Sequence, residues 1–136
     1  MYHEQVMERW LLGMAAGDYL KQAAASMHRA ATQLQQQAKD MQTNMVRIRS
    51  DQSAVIDKNA NEIKSKQAEV ANSNDTVQRS RLSVEIQKLQ DEIVAAEQAI
   101  KKAEADVTQA VQAKLGTSQD IENQARQLET QAGTVD

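Results

Sequence analysis

Few side chains in this sequence have the type and spacing to do chemistry, and each resolves into a simpler role. His3-Glu4 opens like the helix of a zinc protease, where two histidines four residues apart hold the metal and the glutamate is the general base. Position 7 is Met, so the second ligand is missing. His28 is the only other histidine, and the absence of cysteine removes thiolate metal sites and disulfides. Both histidines read as exposed polar residues of helices. Gly13 and Gly17 could begin a phosphate-cradling loop, but no Lys-Ser/Thr pair follows them. Their spacing also suits close helix contact, yet in an amphipathic segment two glycines read more simply as a kink. Asp91 and Glu92 are paired carboxylates, but adjacent helix positions point apart, and general acid–base work needs a pocket. The expectation is a non-enzymatic chain with no catalytic, cofactor-binding or metal-binding residues.

The elements that would position any site are helices. The 136 residues include no Pro and four Gly, so little interrupts helix propagation. Ala occurs 21 times and Gln 19 times, both compatible with helix. Phe is absent, and the three aromatics are Tyr2, Trp10 and Tyr19. Beyond residue 19 a core must be built from small aliphatic side chains, which suit a thin helix–helix seam. Net charge is −3, with 16 basic and 19 acidic residues and no block of like charge. A nucleic-acid binder normally carries a basic stripe, so that class is less favoured than a structural or adaptor role. Residues 1–20 do not read as a signal peptide, because Glu8, Arg9 and Asp18 interrupt the apolar stretch. No window nears the ~20 apolar residues that span a bilayer. The expected protein is soluble: cytoplasmic, exported by a route that reads no classical signal, or part of a virion.

Periodicity divides the chain. Val6, Met7, Trp10, Leu11 and Met14 share one helical face, predicting an amphipathic helix over 1–17 with a hinge near 13–18 and Asp18 as the next N-cap. Residues 18–136 then form a coiled-coil helical hairpin. Leu34, Ala38, Met41, Met45, Ile48, Gln52 and Val55 alternate steps of four and three, which is a heptad seam. Its register slips by one, and Ile56, Ile63, Val70, Val77 and Val84 continue at seven. Asn72-Ser73-Asn74-Asp75-Thr76 competes for backbone hydrogen bonds and predicts the hairpin turn, with Asn74 or Asp75 as cap. Leu82, Ile86, Leu89, Ile93, Ala96, Ile100, Ala103, Val107 and Ala110 form the clearest seam. Gly116 predicts a break near 116–118, followed by a C-terminal helix carrying Ile121, Ala125, Leu128 and Ala132.

A two-helix hairpin with so little aromatic surface has a small core, so oligomerisation or a larger partner is expected. Leu82, Ile86, Leu89, Ile93, Ile100 and Val107 are the expected oligomer seam. Val6, Trp10, Leu11, Met14 and Tyr19 are the expected docking face, since Trp and Tyr anchor interfaces; the alternative is that Val6, Trp10 and Met14 cap the hairpin's own open end. Membrane contact is disfavoured, because this segment lacks a strongly basic face. The composition, rich in Ala, Gln, Asn and Ser and lacking Cys, Pro and Phe, is loosely similar to that of axial and tip subunits of secretion machines and of virion ejection proteins. That resemblance brings no motif and transfers no residue role. The expected function is a structural or assembly subunit of a multiprotein machine, binding copies of itself and other protein subunits. A cytosolic adaptor or export chaperone is the rival.

Overall fold

A computed structural model describes the backbone of residues 2–135 and the side chains of residues 15–135. The fold is an all-α helical hairpin. Helix α1 spans Tyr2–Asn72 and helix α2 spans Thr76–Val135. No strand occurs among the described residues.

The turn falls where the polar run predicts it. Residues 73–75 leave the helical conformation, and Asp75 caps α2: its Oδ1 accepts the Val77 amide hydrogen at 3.0 Å. That bond satisfies one of the four orphan donors at a helix start. Ser73 Oγ accepts from the Asp75 amide at 3.2 Å and donates to Gln78 Oε1 at 3.0 Å, tying the turn to the first turn of α2.

Two predicted interruptions are absent. Helix α1 passes through residues 13–18, and Asp18 lies within it rather than capping a new helix. Helix α2 passes through Gly116, so no separate C-terminal helix begins at 117 or 118. A helical glycine costs only about 1 kcal/mol relative to Ala, and cross-helix packing and hydrogen bonding outweigh it. Gly17 is buried, and Ser118, two residues past Gly116, is 1% exposed.

The chain divides into two compact units: Met1–Asp40 with Ala110–Asp136, here the terminal unit, and Met41–Gln109, the turn unit. In the terminal unit Gly17, Ala24, Ala31 and Ala38 are buried every seventh residue of α1, and Val111, Ser118, Ala125 and Ala132 every seventh residue of α2. Small residues at every repeat but Val111 let two backbones approach closely. In the turn unit the α1 repeat continues as Met45, Gln52, Asn59 and Lys66, so it becomes polar. Met45, Ile63, Leu82 and Ala96 are the buried apolar residues there.

The register slip is real. Val55 is 42% exposed while Ile56 is half-buried, so the inward positions run 48, 52, 56 in successive steps of four. Such a stutter locally unwinds a coiled coil. Val77 and Val84 leave the seam, at 78% and 68% exposure, because the turn resets the phase before α2 begins.

Candidate assembly surface

With a middle column of Gly, Ala and Ser apart from Val111, the terminal unit is distinguished by what lies on either side. On α1, the residues four positions after Gly17, Ala24 and Ala31 are Lys21, His28 and Gln35, again seven apart. On α2 the matching positions include Glu122 and Glu129. Here the helices are tied together. His28 Nδ1 lies 2.8 Å from Glu122 Oε2, and its Nε2 lies 2.5 Å from Glu129 Oε1. Ser118 Oγ donates to the Ala31 carbonyl at 3.0 Å and accepts from Gln35 Nε2 at 3.2 Å. A hydroxyl that reaches the backbone of the facing helix requires the close approach the alanines allow.

The other flank is apolar. Leu20, Met27 and Leu34 on α1 and Ile121 and Leu128 on α2 are all half-buried. Ala23 and Ala30 widen this stripe and are also half-buried. Lys114 Nζ, donating to Gln37 Oε1 at 2.9 Å, is its polar end. An apolar band this wide exceeds the narrow a/d seam of a strict two-stranded coil and matches what a helix presents when it meets more than one neighbour.

The turn unit holds the residues expected to form the oligomer seam. Leu82 is buried at 3% exposure, and Ile86, Leu89, Ile93, Ile100 and Val107 are half-buried. All six lie on the face of α2 that packs against α1 of the same chain. Polar bridges cross this seam: Arg49 Nη2 to Glu104 Oε1 at 2.7 Å, Asn59 Nδ2 to Glu92 Oε2 at 3.0 Å and Lys66 Nζ to Glu85 Oε2 at 2.8 Å. The Lys66 hydrogen bond lowers the Glu85 carboxyl pKa below its ordinary value, and Glu85 in turn raises that of Lys66. Asn59 is 6% exposed, and a buried Asn at one seam position favours the one register in which it finds its partner.

Of the expected docking face, Tyr19 is 72% exposed. The side chains of Val6, Trp10, Leu11 and Met14 lie outside the described residues, as does that of His3. Met45 is buried at 6% exposure, whereas Met27 and Met41 are half-buried. His28 departs from its expected role as a purely exposed residue, because it bridges two helices. The spacing of seven between Glu122 and Glu129, beside Ala125 and Ala132, was the available signal. Reading it required the pairing of α1 with α2, which periodicity within each helix does not supply.

Among the described residues no cluster of three or more His, Cys, Asp or Glu is arranged to hold a metal ion, and no helix is long and apolar enough to cross a membrane. No family model, no curated protein and no solved structure matches the chain.

Proposed function

We propose that this chain is a non-enzymatic structural or assembly subunit of a multiprotein machine, of the kind found in a bacterial secretion or conjugation apparatus or a phage particle. It acts by coiled-coil self-association and by docking other protein subunits. The observation that carries this reading is the unequal pair of flanks in the terminal unit. Polar bonds close one side of the alanine column, while Leu20, Met27, Leu34, Ile121 and Leu128 leave apolar surface open on the other. The core between them is thin: of the ten buried apolar residues described, six are Ala. Further helices laid on the apolar flank would bury what this chain leaves half-covered, and a four-helix bundle is the usual arrangement that does so.

One observation favours the rival reading. Leu82, Ile86, Leu89, Ile93, Ile100 and Val107 lie within the chain's own hairpin seam, so less of α2 is free for a second copy. A self-contained hairpin that lends one flank to a partner helix is an adaptor or export chaperone. Size-exclusion chromatography with light scattering separates the two. A defined homo-oligomer of the 15.1 kDa chain, dissociated by Leu34→Lys without loss of helicity, supports the assembly subunit. A monomer at all concentrations refutes self-association and leaves the adaptor.

A further inference from the structure

We infer that His28, Glu122 and Glu129 form a proton-operated clip that holds α1 against α2 across the alanine column of the terminal unit. The imidazole sits on α1 and the two carboxylates sit one heptad apart on α2, so a single side chain spans two turns of the facing helix. Both ring nitrogens are engaged, at 2.8 Å and 2.5 Å, each by a different carboxylate. A neutral imidazole carries one N–H and one lone pair, and an ionised carboxylate only accepts. It can therefore satisfy one of these two partners and must turn a lone pair toward the other. The imidazolium donates to both. The geometry is that of the protonated ring, and losing the proton releases one carboxylate and sets it against a lone pair.

The other charges around the ring do not supply this balance. On α2 the groups facing it are Glu122 and Glu129, with the exposed Arg126 between them in sequence. On α1, Arg29 is adjacent but bonds Ser26 Oγ at 3.1 Å, and Lys21 stands one heptad earlier. Partial desolvation of the ring disfavours the imidazolium, and the two directly bonded carboxylates favour it and prevail. The His28 pKa is accordingly raised above 6.5, chiefly by the hydrogen bond to Glu129 and then by that to Glu122. A group whose pKa is raised on folding stabilises the fold fully below its unfolded value. That contribution fades as pH rises through the folded value. The clip is thus closed in mildly acidic medium and opens toward alkaline pH, within the range where histidine serves as a switch.

The test uses the full chain and four variants: His28→Gln, His28→Arg, Glu129→Gln and the double variant Glu122→Gln/Glu129→Gln. Nitrogen-15 NMR of the imidazoles gives the titration midpoint, with His3 as the chain's other histidine and His28→Gln fixing the assignment. Wild-type His28 should titrate above its midpoint in the double variant, with Glu129→Gln between them. Thermal unfolding at pH 5.5 and pH 9 gives the second readout. Wild type should exceed His28→Gln in Tm at pH 5.5 and lose that margin at pH 9. His28→Arg, cationic at both values and able to fork between two carboxylates, should keep its margin over His28→Gln at both. An unchanged midpoint in the double variant, or a margin independent of pH, would overturn the clip. Should His28→Gln fail to fold, the NMR comparison of wild type with the Glu variants decides alone.

Discussion

Ala31 and Ala125 are both fully excluded from solvent, and small size is what each contributes. A longer side chain there must push the helices apart or leave its rotamer. Ala125→Leu is therefore expected to destabilise by about 1–3 kcal/mol, the usual range for overpacking a tight site, measured by chemical denaturation. Gly116 gives the opposite case. It is helical, its φ is not positive, and a Cβ built there meets nothing within 4 Å. Gly116→Ala should stabilise by about 0.5–1 kcal/mol, mostly by restricting the unfolded chain. A melting temperature at or below wild type would mean that the helix is distorted at this point. Residue-level reading of the sequence identified Ala38, Ala125 and Ala132 as seam positions but missed Ala24 and Ala31. Those two lie in a stretch where Ala occurs on several faces, so periodicity alone does not single out the buried one.

At the scale of the elements, the helix ends were legible and the supposed interruptions were not. Asp75 caps α2 through a local hydrogen bond that its own sequence neighbourhood determines, and the signal was visible for that reason. Asp75→Ala should cost about 1 kcal/mol without loss of total helicity in circular dichroism. Gly13, Gly17 and Gly116 suggested breaks because propensity was judged without the facing helix. Packing against that helix is set by residues distant in sequence. The slip between Val55 and Ile56 was legible because it lies within one helix. In α2 the inward positions run 103, 107, 111, again in successive steps of four, and Val111 is buried beside half-buried Ala110. Ala at 110 kept the apparent heptad unbroken in sequence and hid this second stutter.

The Lys66–Glu85 bridge of the turn unit also acts at this scale, and the pH dependence its carboxylate gives is opposite in sign to that of the histidine clip. Glu85 has a lowered carboxyl pKa because Lys66 donates to it. Its contribution is present above the unfolded carboxyl value and is lost as pH falls through the folded one. Thermal melts should therefore show an acid-side loss that Glu85→Gln reduces. An acid limb identical in wild type and variant would assign that loss to other carboxylates.

For the molecule as a whole, the physical reason to expect association is the thin seam: six of the ten buried apolar residues described are Ala. The fold class was legible because every level of the sequence agreed: no Pro, good helix formers, and long runs of 4–3 spacing. The assembly surface was less legible. The polar and apolar flanks are defined only once α1 and α2 are paired, and Leu20, Met27, Leu34, Ile121 and Leu128 are scattered until then. The pairing itself is the claim on which the flanks, the clip and the assembly reading depend. The chain has no cysteine, so Ala31→Cys/Ser118→Cys introduces the only thiols, at the point where Ser118 Oγ reaches the Ala31 carbonyl at 3.0 Å. Oxidation of the dilute variant should give a disulfide within one chain, running at monomer mass on a non-reducing denaturing gel at every concentration. Cross-links only between chains, or none, would contradict the hairpin pairing.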